Sequence, residues 1–284
     1  MNQIFDIFII GGGINGAGIA RDAAGRGFKV FLADKGKVGS ATSSWSSKLI
    51  HGGLRYLENY EFKLVRESLK EREVITNIAP NITKPLPFII PHTKKLRSKL
   101  LIRLGLFLYD NLGGKTKIPK SSQIDFNKKY SNILQSQFSV GFQYYDVQVD
   151  DKKLVEMNID DAKKLGATII ENTEVISAKR VTEGWEIALE NDKIIQSKIL
   201  INAAGPWINE IVNNVIKINT NKKIRLVRGS HIITKKLYEE EVAFTLQNED
   251  NRIVFVIPYK KEFSLIGTTE VDVKTADNPL IRKF

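Results

Sequence analysis

A cluster of glycines and one acid near the start of the chain have types and spacings suited to cofactor chemistry. Gly11, Gly13 and Gly16 match the turn by which a strand enters a helix around a dinucleotide, and Asp34 follows 18 residues after Gly16. In such a turn the glycines permit an unusual backbone, close approach of a pyrophosphate and tight helix packing. The helix N–H groups attract the pyrophosphate, and the acid accepts a hydrogen bond from a ribose. The pattern predicts an adenine dinucleotide, with NADP the least favoured of FAD, NAD and NADP.

The segments around these residues are predicted to position them as strand, helix and strand. Residues 4–10 are an apolar run that predicts the first strand. Gly16, Ala20, Ala24 and Gly27 recur at helical spacing, which predicts a face of small residues that packs closely on a sheet. Residues 29–33 predict the second strand, so that Asp34 lies at its end.

A second group of reactive side chains follows directly. Residues 40–47 contain five serines and one threonine, and their hydroxyls suit hydrogen bonds to phosphates and to a ribityl chain. Beyond them His51 and Arg55 are four residues apart, with two glycines between them. A solvated linker is the alternative, but the immediate return of apolar residues favours a functional loop.

The middle of the chain predicts a helix and a basic segment. Residues 58–78 have helical periodicity, and Pro85, Pro87 and Pro91 predict a short edge strand at most. Residues 94–109 alternate lysines and arginines with leucines, which fits either a membrane-surface helix or a buried core helix with basic ends. No apolar run approaches the ~20 residues of a membrane span.

The last part of the chain predicts a helix followed by many strands. Asp150 and Gly166 mark the ends of the helix. Strands are predicted after it at residues 167–170, 175–181, 185–190, 194–195 and 198–203. The last of these runs into Ala204 and Gly205, either a second backbone approach to the cofactor or an ordinary turn. Residues 225–269 are strand-rich and suggest an antiparallel second domain.

Composition excludes several kinds of site. The 284 residues include no cysteine, which excludes disulfides and thiol nucleophiles. The three histidines are far apart in the sequence, so no metal site is expected. With 42% hydrophobic and 26% charged residues the chain is globular. The net charge of +11 favours anionic partners, but nucleic-acid binding would rest on charge alone and is not expected.

Six sequence blocks together resemble the FAD-dependent, quinone-linked glycerol-3-phosphate dehydrogenases. The most specific is ATSSWSSKLIHGGLRYLE at residues 41–58. The others are DIFIIGGGINGAGIARDAAGRG at 6–27, INAAGPW at 201–207, RGSH at 228–231, LQNED at 246–250 and IGTTE at 266–270.

The resemblance implies an α/β flavoprotein, with a Rossmann-like FAD-binding domain and an antiparallel-sheet substrate domain. Such enzymes oxidise sn-glycerol 3-phosphate to dihydroxyacetone phosphate by hydride transfer to FAD and pass the electrons to membrane quinone. The implied FAD-binding residues are Gly11, Gly13, Ile14, Asn15, Gly16, Asp34, Thr42, Ser43, Ser44, Ser46, Ser47, Val175, Ala204 and Gly205. The implied catalytic and substrate residues are Arg55 for the phosphate, His51 as base or orienting group, Thr269 and Arg228. A plain structural role for His51 is the alternative.

The predicted domains are discontinuous. Residues 1–80 and 145–215 form the FAD-binding domain, and residues 81–144 and 216–284 form an incomplete substrate and membrane-facing domain. The resemblance implies a cytoplasmic protein that is peripheral on the inner face of the membrane, in contact with anionic lipid.

The family's chain continues past residue 284, which leaves three further readings. The chain is an inactive truncated or split fragment, it is one part of an enzyme that a missing C-terminal chain completes, or it is a related FAD-dependent amine or amino-acid oxidase. A second copy of the chain, in a homodimer, is the alternative protein partner.

Overall fold

The computed structural model describes residues 3–93, 97–130, 132–134, 138–222, 224–248, 252–267 and 270–277. The β-strands in these ranges are β1 Ile4–Ile10, β2 Val30–Ala33, β3 Leu49–Ile50, β4 Thr83–His92, β5 Ser122–Asp125, β6 Val140–Val149, β7 Thr168–Ile170, β8 Val175–Val181, β9 Gly184–Leu189, β10 Ile194–Asn202, β11 Val227–Arg228, β12 Ile232–Lys235, β13 Ala243–Gln247, β14 Ile253–Tyr259, β15 Phe263–Gly267 and β16 Val271–Asp272. The α-helices are α1 Ile14–Gly25, α2 Phe62–Ile78, α3 Lys99–Leu112, α4 Phe126–Lys129, α5 Asp151–Lys164 and α6 Ile208–Glu210.

The chain divides into two compact units. Unit 1 contains residues 1–46, 150–227 and 272–284, and unit 2 contains residues 47–149 and 228–271. The sequence grouped residues 47–80 with the FAD-binding domain, whereas Leu57, Val65 and Leu69 belong to the hydrophobic core of unit 2. The glycine turn and the His51 to Arg55 segment therefore belong to different units.

Unit 1 is built on a six-stranded sheet in the order β7-β2-β1-β10-β9-β8. The first four strands run parallel, and β10, β9 and β8 are antiparallel. Helices α1 and α5 share a core in which Ala17, Ala20 and Ala24 meet Val155 and Ile159. The predicted small-residue face is confirmed, except that Gly27 lies beyond the helix in a left-handed conformation.

The ends of α5 also follow the sequence. The Asp150 side chain accepts the amide of Lys153 at 2.9 Å, which satisfies one free N–H of the first turn. Gly166 has a φ of +95° just past the helix, a conformation that glycine adopts without steric cost. The two strands predicted at 194–195 and 198–203 form the single strand β10, because β9 pairs with its first half and β1 runs along its other edge.

Unit 2 is built on an eight-stranded sheet. Seven strands follow the order β12-β15-β14-β13-β4-β6-β3, and β5 also pairs with β6. All neighbours are antiparallel except β13 and β4, which fits the predicted α/β class with a mainly antiparallel second sheet.

The prediction of a short edge strand between the prolines was wrong. β4 has ten residues and lies between β13 and β6. Every second residue of a strand directs its amide to the same edge. Pro85, Pro87 and Pro91 are separated by even numbers of residues, so the three missing amides lie along one edge of β4. The partner β13 pairs with β4 at Phe88 and Ile89, so the contact along that edge of β4 is short.

Helix α3 has two apolar faces. Ile102, Leu106 and Tyr109 are buried in the core of unit 2. Leu100, Leu104 and Phe107 form a row on another face, and their exposed fractions are 78%, 54% and 63%. No helix in the described ranges has the length and apolar character to cross a bilayer.

Candidate functional site

The glycine turn between β1 and α1 is too tight for a side chain at its first and third glycines. A Cβ on Gly16 would lie 1.9 Å from the carbonyl oxygen of Gly11. Gly11 has a φ of +104°, and a Cβ there would lie 2.6 Å from the carbonyl oxygen of Ala203. The first and third glycines therefore let strand, helix and the end of β10 meet.

The second glycine leaves room at the start of α1. Among the described residues, Ser43 Oγ alone lies within contact range of a Cβ on Gly13, at 3.0 Å. The next residues, Ile14 and Asn15, are exposed in the first turn, where helix amides lack intrahelical partners. The Ile14 amide donates to Ser43 Oγ at 2.9 Å. An anionic group at this helix start would meet open space, a positive helix dipole and a hydroxyl.

Asp34 has a structural task that the sequence did not reveal. Its Oδ2 accepts the amide of Gly12 at 2.6 Å, and its Oδ1 accepts the amide of Gly36 at 2.8 Å. The carboxylate thus fastens the glycine turn to the end of β2. Each oxygen retains a second lone pair, so a ribose hydroxyl still has an acceptor there.

The carboxyl ends of the parallel strands bring the predicted backbone contacts together. β1 and β10 lie side by side, with Ile10 opposite Asn202. The chain order reverses between these strands, and ligands of open α/β sheets bind at such a point. Ala204 follows there, its amide held by Asn202 Oδ1 at 3.2 Å, and Gly205 has a φ of +55°. The Ala-Gly pair is adjacent to the turn at Gly11.

The structure also ties Val175 to this end of the sheet. The Thr173 amide donates to the carbonyl of Asp34 at 2.9 Å, two residues before Val175. The Val175 side chain is buried in the core on the other face from α1. The chain therefore passes Asp34 immediately before it enters β8.

The hydroxyl-rich loop is divided among several tasks. Ser43 bonds the start of α1, as above, and Ser44 Oγ donates to the carbonyl of Ala41 at 3.1 Å. Ser46 Oγ donates to Asp151 Oδ2 on α5 at 2.7 Å. Thr42 is exposed. Most of these hydroxyls hold the protein's own chain, a function that their composition alone did not distinguish from cofactor binding.

His51 and Arg55 lie on a turn of unit 2. His51 Nδ1 accepts the amide of Gly53 at 3.0 Å, so the neutral ring carries its proton on Nε2 and donates from there. Arg55 is the second residue of the 3₁₀ helix Leu54–Asn59. Its side chain is exposed and has no hydrogen bond or ion pair with the described part of the chain. A free cation on a short helix suits an anion.

His231 is a candidate that the sequence reasoning missed. Its Nε2 lies 3.2 Å from Ser47 Oγ, and a Cβ on Gly267 would lie 2.4 Å from its Cδ2. Burial lowers the pKa of the half-buried ring, with the charge of Lys48 as a second cause. The ring is therefore neutral at pH 7 and able to accept a proton. Its place in the RGSH block was the available signal.

The structure says less about the other two predicted substrate residues, Arg228 and Thr269. Arg228 is half-buried in the short strand β11. Thr269 lies outside the described residues, directly after the segment in which Gly267 contacts His231. Ile232 pairs with Ile266, so the RGSH and IGTTE blocks are neighbours in the sheet of unit 2.

Comparison with known proteins identifies the family. Residues 6–283 match the family model of the FAD-dependent oxidoreductases, abbreviated DAO. The chain belongs to this family. FAD is the cofactor of the family, as predicted, and its members are oxidoreductases.

Curated relatives carry the resemblance further. Glycerol-3-phosphate dehydrogenase of Pseudomonas aeruginosa is 49% identical, over 94% of this chain and 53% of its own. Aerobic glycerol-3-phosphate dehydrogenase of Escherichia coli is 45% identical, over 95% of this chain and 54% of its own. D-erythritol 1-phosphate dehydrogenase of Brucella abortus is 47% identical, over 94% of this chain and 54% of its own. The predicted resemblance is confirmed, and the chain spans about half the length of these relatives.

Solved structures agree on the fold. Glycerol-3-phosphate dehydrogenase from Bacillus halodurans, solved with FAD, has a TM-score of 0.74 at 24% identity and covers 98% of this chain and 50% of its own. L-α-glycerophosphate oxidase from Mycoplasma pneumoniae, also solved with FAD, has a TM-score of 0.75 at 16% identity and covers 97% of this chain and 73% of its own. The predicted fold class is confirmed.

Proposed function

We propose that this chain binds FAD and the phosphate ester of a small polyol, and that it oxidises sn-glycerol 3-phosphate to dihydroxyacetone phosphate. The observation that carries the proposal is the presence on one chain of a dinucleotide turn and of an exposed Arg55, unpaired within the described residues, just after Gly52 and Gly53. The relatives named glycerol-3-phosphate dehydrogenase support the choice of substrate.

The residues of unit 1 fit FAD. A cradle that a Cβ would fill at Gly13, the exposed first turn of α1 at Ile14 and Asn15, and the remaining lone pairs of Asp34 suit the pyrophosphate and the ribose. We propose that Thr42, Ser43, Ala204 and Gly205 complete the contacts. FAD supplies the hydride acceptor, and the protein supplies position and electrostatics.

The residues of unit 2 provide for the substrate. The Arg55 guanidinium can bind the phosphate through two parallel hydrogen bonds. Oxidation of a secondary alcohol removes a hydride from carbon and a proton from oxygen. We assign neutral His231 as the group that accepts this proton. His51 donates from Nε2 and therefore orients rather than accepts. Arg228 and Thr269 are further substrate-side proposals.

An anaerobic absorption titration of the FAD-loaded chain tests this function. We expect glycerol 3-phosphate to bleach the flavin band, while glycerol and inorganic phosphate leave it unchanged. D-erythritol 1-phosphate is the second candidate substrate, because the Brucella abortus relative is named for it. Bleaching by glycine or another amine alone would identify an amine oxidase. A flavin band that no polyol phosphate bleaches would contradict the proposal.

The role of His231 predicts a pH dependence. Because its pKa in the folded chain is lowered from the usual value of about 6.5, the rate of flavin reduction should hold at neutral pH and fall only below pH 6.5. The free energy of unfolding should fall in the same window, because the unfolded chain takes up the proton more readily there. His231→Asn should reduce the rate by about a hundredfold and remove this acid limb.

His51→Asn is the matched comparison for this prediction. It removes an exposed imidazole of the same unit and should leave the acid limb in place, since the His51 ring donates from Nε2. If the limb disappears with His51→Asn and persists with His231→Asn, the assignment of the base is wrong.

We further propose that α3 lies on an anionic membrane surface at the inner face of the cytoplasmic membrane, where electrons pass to quinone. Leu100, Leu104 and Phe107 are one exposed apolar row, and Lys99 and Arg103 are exposed beside it. An apolar stripe flanked by basic residues is the pattern of an interfacial helix. Arg97, predicted among the lipid-facing cations, instead bonds Glu58 and Gln247.

The double variant Leu104→Glu with Phe107→Glu tests the membrane contact. Both side chains are exposed, so folding should be unaffected, while binding to vesicles with anionic lipid should fall about tenfold or more. Vesicle co-sedimentation measures the effect. Phe28→Glu with Leu165→Glu is the matched control, because these residues of unit 1 are exposed by 49% and 45%. Equal losses in the two double variants would contradict a specific surface.

A further inference from the structure

Three buried polar side chains lie in the apolar core of unit 2 and bond the chain next to His51. Arg72 is on α2, Tyr109 is on α3 and Asp146 is on β6, and their exposed fractions are 5%, 3% and 3%. We call these three residues the buried polar network. They join the two helices to β6.

Each hydrogen bond of the network has a defined direction. Tyr109 Oη accepts the amide of Gly52 at 2.6 Å, so its single proton is donated to the Asp146 carboxylate, at 2.7 Å and 2.9 Å from the two oxygens. Arg72 Nη1 donates to Asp146 Oδ1 at 2.8 Å and to the carbonyl of Tyr145 at 3.1 Å. Burial raises the pKa of Tyr109 well above its usual value, which keeps the phenol protonated.

Burial of these charged groups has a large desolvation free energy, so the network is a poor means of stabilising a core. Two charged groups have been removed from water, and a well-packed apolar set of the same volume is often as stable or more so. Arg72 Nε is buried without a hydrogen-bond partner in the described part of the chain, which adds to the cost. A task other than stability therefore accounts better for these residues.

That task is indicated by the segment that the network holds. A Cβ on Gly52 would lie 2.5 Å from Leu69 Cδ2 and 2.8 Å from Tyr109 Cε2, so the turn is pressed against the phenol ring. Gly53 follows with a φ of +71° and opens the 3₁₀ helix that carries Arg55. A shift of the Gly52 amide would move this helix and its guanidinium.

We propose that Tyr109, supported by Asp146 and Arg72, is a positioning residue for Arg55, because its phenol oxygen fixes the Gly52 turn that presents Arg55 to the substrate phosphate. This inference rests on the function proposed above. Tyr109 acts through the turn and contacts no substrate. The network thus determines specificity for a phosphate ester from within the core.

The variant Tyr109→Phe removes the hydroxyl and keeps the ring. We expect hydrogen exchange of the peptide covering residues 49–57 to accelerate about tenfold, because the Gly52 amide loses its acceptor. The dissociation constant of glycerol 3-phosphate, measured calorimetrically on the FAD-loaded full chain, should rise about tenfold. Affinity for FAD should be unchanged, which separates lost positioning from general destabilisation.

Tyr144→Phe is the matched control. Tyr144 is also 3% exposed and its ring packs against Tyr109. Its hydroxyl bonds Thr245 at 3.2 Å, whereas the Gly52 amide bonds Tyr109. This variant should leave both the exchange of residues 49–57 and the substrate affinity within about twofold of the unmodified chain. Equal effects of the two variants, or none with Tyr109→Phe, would overturn the proposal.

An Arg55→Ala arm separates this inference from the function on which it rests. If Arg55→Ala weakens glycerol 3-phosphate binding and Tyr109→Phe does not, the positioning role is refuted and the function stands. If the unmodified chain does not bind glycerol 3-phosphate, the substrate assignment fails. If the unmodified chain binds it and Arg55→Ala leaves binding intact, the role of Arg55 fails. The positioning role is refuted in both cases.

Discussion

Replacement of Gly16 by alanine is expected to abolish FAD binding. The new Cβ would lie 1.9 Å from the carbonyl oxygen of Gly11, so the start of α1 must move away from the strand and from the turn that receives the pyrophosphate. We expect the affinity for FAD, measured by fluorescence titration, to fall by about a hundredfold or more. An unchanged affinity would show that the turn does not carry the cofactor.

Two further variants separate cofactor loss from misfolding. Gly18 lies on the same helix, and in the described part of the chain a Cβ there meets no atom within 4 Å. Gly18→Ala should therefore keep FAD affinity and raise stability by up to about 1 kcal/mol. At Gly13 a Cβ meets only Ser43 Oγ, so Gly13→Ala should fold and yet bind FAD poorly. Tight binding by Gly13→Ala would place the pyrophosphate elsewhere.

Replacement of Arg55 by alanine is expected to remove recognition of the substrate phosphate. Charge-assisted hydrogen bonds contribute about 1.5–3 kcal/mol. The concentration of glycerol 3-phosphate that half-reduces the flavin should therefore rise roughly 10- to 100-fold, with FAD affinity unchanged. Arg55→Lys should recover only part of the loss, because an ammonium does not offer the planar pair of donors.

Arg66→Ala is the matched control for the loss of one exposed positive charge. Arg66 is exposed on α2 in the same unit. If the two alanine variants weaken glycerol 3-phosphate binding equally, the phosphate responds to the general positive field of the protein and not to a site at Arg55.

Local patterns predicted much of the cofactor side. β1 begins and ends at the predicted residues, and α5 begins after Asp150 because a capping carboxylate and a terminal glycine are local signals. The close approach at Gly11 and Gly16 was also predictable, since the spacing of the three glycines determines which atoms would collide. The family followed from several such blocks taken together.

Properties that depend on distant partners were not predictable in this way. The serines around residue 43 have similar local sequences, but Ser43 bonds α1, Ser46 bonds α5 and Ser47 bonds His231. The prolines of β4 indicated an edge strand, and the actual position in the sheet depends on which edge β13 occupies and over what length. Hydroxyl chemistry and proline content alone do not specify these partners.

By itself the sequence determined the dinucleotide turn, the family and the presence of Arg55 beside two glycines, because each depends on residues close together in the chain. Only the tertiary structure decided that Asp34 fastens the turn, that neutral His231 lies beside Ser47 and that Tyr109 holds the Arg55 segment. Those contacts join residues 22, 184 and 57 positions apart. Burial and hydrogen-bond partners across such separations arise only when the strands and helices pack.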